Sequence, residues 1–227
     1  MLRQCVLSFN SSGGYGGGAY LIGNIEARDC YIISNLANAN AGGGLALRYG
    51  ATARNCLIAG NTSLGPLGGG GVAFWFGGKV INCTITGNSA APNYNKGGGL
   101  ECQNAVVSYV ENSIVYGNVA GSKSNYYEST VGTIRWTNSC SAPSLNDISP
   151  GTNVNNITDN PQFAGASTGN YRLARSSPCV NTGVNREWMT PQAVVLDLDG
   201  NHRIMMGTVD MGAYELVPPS GTIFTGH

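Results

Sequence analysis

The sequence has few charged side chains and no basic cluster. Charged residues make up 11% of its 227 positions, and 12 lysines and arginines balance 12 aspartates and glutamates. Proteins that bind nucleic acid neutralise phosphates with clustered cations, so this composition argues against a nucleic-acid partner. No apolar run approaches the roughly 20 residues that a transmembrane helix needs. We therefore expect no nucleic-acid partner and no membrane span.

Helical periodicity is also missing from the chain. Apolar residues alternate with other residues over short runs, and this period of two is typical of β-strands. Gly, Asn, Ser and Ala fill the stretches between these runs. No apolar stripe recurs with the period of 3.6 residues that an amphipathic helix shows. The sequence therefore predicts an all-β fold.

Two phrases recur in step along the chain. The first is a cysteine followed by an apolar alternation and an asparagine, and its cysteines are Cys5, Cys30, Cys56 and Cys83. A fifth copy has Ser113 in place of the cysteine. The second phrase is a glycine triplet followed by alternating apolar residues, and it begins at Gly16, Gly42, Gly69 and Gly97. Two phrases that keep one period of about 26 residues indicate a stacked solenoid.

Strand repeats of this length predict a right-handed parallel β-helix, in which each strand pairs with its copy about 4.8 Å away in the next coil. Stacking aligns equivalent residues in columns. We expect the cysteines inside, beside Ile32, Ile58, Ile85 and Val115. We expect a ladder of side-chain amides at one corner, formed by Asn10, Asn35, Asn61, Asn88 and Asn118. The outward column of Tyr31, Leu57, Thr84, Ile114 and Tyr116 is apolar, which predicts that another segment covers it.

The regular phrases divide the chain into three parts. Residues 1–120 form the regular coils, residues 121–217 form less regular coils and a cap, and residues 218–227 read as a linker. The chain opens almost on a repeat phrase without a capping element, so we expect a truncated piece of a longer secreted protein or a native, shortened product. The strand edges of the first coil predict end-to-end association of molecules.

Five phrases near the C-terminus carry a resemblance to a known group of proteins. They are Asp159-Asn-Pro-Gln-Phe163, Gly169-Asn-Tyr-Arg-Leu173, Ser177-Pro-Cys-Val-Asn-Thr-Gly183, Asp197-Leu-Asp-Gly-Asn-His-Arg203 and Val209-Asp-Met-Gly-Ala-Tyr-Glu215. This succession resembles the tail of secreted bacterial right-handed parallel β-helix proteins with a variable C-terminal surface anchor. Their repeats are similar to polymorphic outer-membrane proteins, within the pectate-lyase-like superfamily. The resemblance implies the fold and an extracellular or cell-surface location, but no reaction, because that superfamily includes lyases, hydrolases, adhesins and tailspikes.

The residues leave open whether the chain is an enzyme. A glycosidase needs two carboxylates roughly 5 to 9.5 Å apart, and the regular coils contain few acids: Glu26, Asp29, Glu101 and Glu111. The sequence lacks the motifs of polygalacturonases, and its coils lack the clustered aspartates that hold calcium in pectate lyases. If there is an activity, we expect a polysaccharide lyase or a glycoside hydrolase, with Glu101 as the candidate acid.

The glycine phrases predict two outward columns of side chains, because alternate residues of a strand point to opposite faces. The columns are Tyr20, Ala46, Ala73 and Glu101, and Ile22, Arg48, Trp75 and Gln103. Tryptophan stacks on sugar rings and arginine pairs with uronates. The candidate substrate-binding residues are therefore Tyr20, Arg48, Trp75, Glu101 and Gln103, and we expect Arg48, Trp75 and Glu101 side by side on successive coils. The alternative is a set of unrelated surface residues.

A calcium site and a disulfide are further candidates. Asp197, Asp199 and Asn201 resemble the start of a calcium loop, but the glutamate that completes such a loop is missing. The alternative is a turn in which Asp197 or Asp210 pairs with Arg203. No other cofactor is expected. The number of cysteines, seven, is odd, and Cys140 and Cys179, which lie outside the repeated phrase, are the disulfide candidates for an exported protein.

Two functions are consistent with these features. The first is an extracellular domain that engages polysaccharide, either as a glycan-binding module or as a fragment of a degrading enzyme. The second is a non-catalytic structural or adhesive surface stalk, whose coils only extend and display.

Overall fold

The computed structural model describes residues 1–94, 96–104, 106–121, 123–129, 133–142, 153–189 and 195–219. The chain winds through about five coils, and each regular coil contributes one strand to each of four parallel sheets, which we name A to D in chain order. Each strand pairs in register with its equivalent one coil away. The predicted parallel β-helix is therefore confirmed.

Sheets A and B receive the first two strands of each coil. Sheet A consists of Leu2–Arg3, Glu26–Arg28, Ala51–Arg54, Gly78–Ile81, Val107–Glu111, Thr133–Thr137 and Asn153–Val154. Sheet B consists of Val6–Ser8, Tyr31–Ile33, Leu57–Ala59, Thr84–Thr86, Ile114–Tyr116 and Cys140–Ser141. Both sheets therefore continue beyond the regular phrases of the sequence.

Sheets C and D complete each coil. Sheet C consists of Ser11–Ser12, Leu36–Ala37, Thr62–Ser63 and Ser89–Ala90. Sheet D consists of Ala19–Ile22, Leu45–Arg48, Val72–Trp75, Leu100–Gln103 and Tyr126–Glu128. An antiparallel hairpin, Phe163–Gly165 with Asn170–Leu173, follows the coils. Helix in the described residues is limited to the short 3-10 turns Pro92–Tyr94, Ala166–Thr168 and Glu187–Met189.

The core lies inside the coils and is built from the predicted columns. Ile32, Ile58, Ile85 and Val115 are in register in sheet B and are fully buried. Burial of each such side chain contributes about 1.5–3 kcal/mol to folding. One continuous stack of apolar side chains therefore holds the coils together.

The asparagine ladder is confirmed and fixes the corner between sheets B and C. The Oδ1 atom of Asn61 accepts the backbone N–H and the side-chain Nδ2 of Asn35, both at 2.9 Å. In the next coil, Asn88 Oδ1 accepts the backbone N–H and the side-chain Nδ2 of Asn61, at 3.0 and 2.9 Å. The chain of amides runs from Asn10 through Asn118 and ends at Asn125, a residue outside the repeated phrases. Every coil is therefore held at one fixed register.

The glycine triplets mark the corner between sheets C and D, where neighbouring coils approach closely. A Cβ atom on Gly43 would lie 2.3 Å from the carbonyl oxygen of Gly70 in the next coil. Gly42, the first residue of the same triplet, has a φ of 75°, which favours glycine. Close approach and positive φ together account for the repeated triplet.

A C-terminal segment covers the outward face of sheet B, as the apolar column predicts. We call residues 163–189 and 195–217 the cover. Ile114 is fully buried beneath it, and Thr84 Oγ1 accepts the N–H of Ala213 at 3.1 Å. Asn112, at the corner between sheets A and B, bonds both the N–H and the carbonyl of Val184, at 2.8 and 3.0 Å. The cover is thus attached by apolar contact and by hydrogen bonds to the coils.

Arg203 forms a buried ion pair within the cover and joins the cover to the coils through Asn55. Its guanidinium lies 3.1 Å from Glu215 Oε1, and both side chains are 1% exposed. It also donates to Asn55 Oδ1, at a corner between sheets A and B, and to the carbonyl of Gly212. The expectation that Asp197 or Asp210 forms this ion pair is wrong, because Glu215 is the carboxylate that the path of the cover brings to the guanidinium. Asp210 instead offers its backbone carbonyl, at 3.2 Å.

Cys140 and Cys179 lie in one buried cluster with Ile114, Leu173 and Met211. Cys140 belongs to sheet B and Cys179 to the cover. Both thiols are free in this structure. Contact with the Cys179 thiol, together with burial, raises the pKa of Cys140. The structure therefore brings the two cysteines together, and the disulfide between them stays a prediction.

The first coil presents its strand edges, and the inward side chains Leu2, Leu7 and Ala19 are only partly buried. End-to-end association through these edges stays a prediction. The predicted linker begins at Pro218, and its residues 220–227 lie outside the described residues. In the described part of the chain, no helix has the length and apolar character that crossing a bilayer requires.

Replacing Asn88 with alanine should destabilise the protein by about 2–4 kcal/mol, because the buried N–H and amide of Asn61 lose their acceptor. Chemical unfolding followed by circular dichroism measures this change. Asn38→Ala is the matched control, since the hydrogen bonds of that asparagine are exposed, and it should change stability by less than about 0.5 kcal/mol. Equal effects of the two substitutions would contradict a structural role for the ladder.

Oxidative folding should join Cys140 to Cys179, because both sulfurs are buried in one cluster and the bond would tie the cover to the last coils. Intact-mass measurement with alkylation, before and after reduction, detects the bond, and peptide mapping assigns it. Two free thiols at these positions in oxidatively folded protein would refute the pairing.

Candidate functional site

The outward residues of sheet D align across the coils as the sequence predicts. Trp75 is in register with Arg48 on one side and with Gln103 on the other. Ile22 pairs with Arg48 and extends this column to the first coil. The neighbouring column contains Tyr20, Ala46, Ala73 and Glu101. Contrary to the prediction of an outward surface column, only Tyr20 of these four is exposed, and the other three are buried. Glu101 is therefore one column away from Trp75, and the expectation that Arg48, Trp75 and Glu101 follow one another directly is wrong.

Five aromatic rings gather on this face in one continuous chain of contacts. Tyr15 stacks on Tyr20 with centroids 5.5 Å apart and meets Trp75 edge-on at 5.1 Å. Trp75 contacts Phe76 edge-on at 6.3 Å, and Phe76 stacks on Tyr49 at 5.3 Å. Tyr20 is 37% exposed and Tyr49 is 52% exposed. We name these five residues, together with Arg48, the aromatic patch.

Arg48 connects the two ends of the aromatic patch. Its guanidinium donates to the hydroxyl of Tyr20 and to that of Tyr49, each at 3.0 Å. The same group lies over the Tyr49 ring, 4.5 Å from its centroid, and over Phe76 at 5.5 Å. The Tyr20 hydroxyl raises the pKa of Arg48, with a smaller contribution from Tyr49. Five rings and one cation thus form a preorganised surface.

The corner that follows sheet D holds two of these rings in an unfavourable backbone conformation. Tyr49 has a φ of 53° and Phe76 a φ of 60°. The equivalent residues of coils one and four are Gly23 and Asn104, which adopt positive φ more readily. Left-handed conformation costs a bulky residue about 1–2 kcal/mol. The fold therefore places two aromatic side chains where glycine or asparagine would be more stable.

Glu101 is buried, in contrast to the exposed candidate acid that the sequence suggests. Its carboxylate accepts the N–H of Gly97 at 2.9 Å, lies 3.5 Å from the Lys96 ammonium, and accepts from Gln103 at 3.2 Å. Gln103 also donates to the carbonyl of Leu67. The loop that contains Leu67 and the loop that contains Lys96, each of which connects sheet C to sheet D, therefore close over Glu101. Burial raises the pKa of Glu101 to about 7. Glu101 and Gln103 therefore hold loops in place beside the aromatic patch.

The calcium candidates form a turn whose oxygens accept hydrogen bonds within the chain. Asp197 Oδ1 accepts the N–H of Asp199 at 2.9 Å and that of Asn201 at 2.7 Å, and Oδ2 accepts the N–H of Glu215 at 2.9 Å. Asp199 forms an ion pair with Arg172. Within the described residues, no cluster of three or more His, Cys, Asp or Glu side chains is arranged for a metal ion. Calcium binding at this turn stays a prediction.

The structure brings together three of the predicted residues, Tyr20, Arg48 and Trp75, and adds Tyr15, Tyr49 and Phe76. Tyr49 and Phe76 occur in the matching phrases Arg48-Tyr49-Gly50 and Trp75-Phe76-Gly77. An aromatic residue between the last strand residue and a glycine, repeated at one period, is the signal that identifies them. Tyr15 has no such signal, because it precedes the first glycine triplet and reaches Trp75 across the intervening coil.

No protein-family model and no curated protein matches this chain. The parallel β-helix is shown by the structure, and the narrower resemblance to anchored surface proteins remains a proposal.

Glu101 should make the protein more stable at mildly acidic pH. Its folded-state pKa of about 7 lies above the ordinary 4.5, so the folded state binds the proton more tightly. The added stability is complete below about pH 4.5 and is lost as the pH rises through about 7. Relative to Glu101→Gln, the wild type should gain up to about 3 kcal/mol between pH 8 and pH 4.5.

Denaturant unfolding of both proteins across this pH range measures the difference. Glu187→Gln, at an exposed position, is the control and should leave the pH profile unchanged. Parallel profiles for the wild type and Glu101→Gln would contradict the raised pKa.

Proposed function

We propose that this chain is an extracellular β-helix domain that binds polysaccharide along sheet D. The aromatic patch is the observation that carries this proposal. Aromatic rings stack on the apolar faces of sugar rings, and phenol and guanidinium groups at their edges hydrogen-bond hydroxyl or carboxylate oxygens. Ile22, Arg48, Trp75 and Gln103 follow one another on successive coils, about 4.8 Å apart. A sugar chain laid along the helix axis would meet one such residue at each coil.

The geometry of sheet D favours binding over hydrolysis at this surface. Glycoside hydrolysis uses a pair of carboxylates that both reach the substrate. Glu101 is fully buried, and Glu128 is in register with the inward-facing Cys102. Neither of these carboxylates faces the aromatic patch. A glycan-binding module is therefore the function that the site supports best, and a fragment of a degrading enzyme would need carboxylates from elsewhere.

An extracellular or cell-surface location fits this role. The C-terminal phrases that resemble anchored surface proteins form part of the cover, where Arg203 and Glu215 form a buried ion pair. The location and the family assignment rest on this resemblance.

A structural or adhesive stalk is the second candidate function. The repeated coils, the ladder and the strand edges of the first coil are what such a stalk needs. The aromatic patch counts against a purely structural role, because Tyr49 and Phe76 are held at positive φ on an exposed corner. A stalk requires no exposed aromatic residue at those positions.

Replacing Trp75 with alanine should weaken glycan binding by about 1–3 kcal/mol, the scale of losing a large apolar contact. Stability should fall by less than about 1 kcal/mol, because Trp75 is partly exposed and leaves no core cavity. Tyr49→Gly should also weaken binding but should keep or raise stability, because glycine adopts positive φ freely. A glycan array identifies the ligand, and affinity electrophoresis with that polysaccharide measures the loss.

Tyr109→Ala is the matched control, since Tyr109 is 41% exposed on sheet A, away from the aromatic patch. It should leave binding unchanged. Strong destabilisation by Trp75→Ala with full glycan binding would show that Trp75 is a packing residue. Absence of any glycan ligand would favour the stalk.

A further inference from the structure

Four cysteines occupy equivalent positions just before the strands of sheet B and have no role in the proposed glycan site. Cys5 and Cys30 lie between residues that pair in register, Arg3 with Arg28 and then Val6 with Tyr31. The carbonyl oxygen of Cys5 accepts the N–H of Tyr31 at 2.9 Å. Parallel strands about 4.8 Å apart place such residues within the Cα separation that a disulfide spans.

The Cys5 and Cys30 thiols take equivalent orientations, because each donates to the backbone carbonyl two residues earlier, Arg3 at 3.2 Å and Arg28 at 3.0 Å. Hydrogen bonds with the Cys56 and Cys5 thiols and with the Cys5 and Arg28 backbones outweigh burial and lower the pKa of Cys30 to about 6. Cys56 is fully buried between its neighbours, and burial raises its pKa. The thiolate, which is the nucleophile in disulfide exchange, is therefore favoured at Cys30.

Access distinguishes Cys5 from the other cysteines of the chain. All seven cysteines lie in the described residues, and Cys5 is the one that is partly exposed. The remaining six are buried. A small oxidant that meets the folded protein can therefore reach Cys5, while Cys30 is the thiol directly beside it in the next coil.

We propose that Cys5 and Cys30 form an oxidation site that takes a low-molecular-weight disulfide such as oxidised glutathione. The Cys5 thiolate attacks one sulfur of the oxidant, forms a mixed disulfide and releases one glutathione thiolate. The Cys30 thiolate then attacks Cys5 Sγ, forms the bond between coils and releases the second glutathione thiolate. Two protein thiols are oxidised, and the oxidant is reduced to two thiols that take up the protons lost by the cysteines.

The bond would join the first coil to the second from the inside. The strands of the first coil pair in register with those of the second. A crosslink between Cys5 and Cys30, which are 25 residues apart, reduces the conformational entropy of this segment when it is unfolded. Oxidation would thus fix the first coil, which carries Tyr15 and Tyr20 of the aromatic patch, to the second coil.

The experiment uses the full chain, held reduced and folded and then exposed to oxidised glutathione. After alkylation under denaturing conditions, intact mass should show two fewer alkylated thiols than in the reduced protein. Peptide mapping should assign the bond to Cys5 and Cys30. A glutathione adduct that persists on Cys5 in the wild type, a bond between other cysteines, or no reaction would each overturn the proposal.

Three variants separate the two steps. Cys30→Ala should stop at a glutathione adduct on Cys5, and Cys5→Ala should remove all reaction of the folded protein. Cys102→Ala, which replaces a buried cysteine of sheet D, is the matched control and should oxidise as the wild type does. Formation of a bond in Cys5→Ala would show that a buried thiol is the entry point and would refute the assigned order.

Discussion

The chain of asparagine amides from Asn10 to Asn125 is the interaction on which the rest of the structure depends. Each Oδ1 accepts two N–H groups of the preceding asparagine, so a shift of one residue would leave buried donors unpaired in every coil. This fixed register turns the sequence period into columns of side chains. This register places Trp75 beside Arg48 in sheet D. A surface that spans coils therefore depends on interior amides that it does not touch.

The sequence predicts features that every coil repeats, and fails where a contact joins unlike parts of the chain. Sheets, inward columns, the ladder and the covered face of sheet B follow from the period and from strand alternation. The burial of Glu101 depends on the loops that contain Leu67 and Lys96, whose conformations have no repeat. Tyr15 reaches Trp75 across a coil, and Arg203 meets Glu215 along the path of the cover. No local pattern encodes these contacts.

The asparagines before the sheet B strands show how one residue type can serve two physical needs. Asn55, Asn112 and Asn138 turn the corner with φ between 45° and 52°, a conformation that asparagine adopts more easily than most residues. Their side-chain amides bond the cover, at Leu196, Val184 and Thr182. Asn82 turns the same corner with a φ of 50°, and among the described residues its buried amide has no hydrogen-bond partner. The turn conformation accounts for asparagine at this position.

The distribution of exposed residues supports the proposed binding domain over a simple stalk. A stalk can present any soluble residue on each coil, and its corners are most stable with glycine or asparagine, as at Gly23 and Asn104. The aromatic patch departs from this rule in two successive coils, at Tyr49 and Phe76. Residues held in unfavourable conformations persist where the surrounding structure imposes them, often at binding surfaces. Because both rings also contact Arg48, the departure serves one connected surface, which is what ligand binding requires.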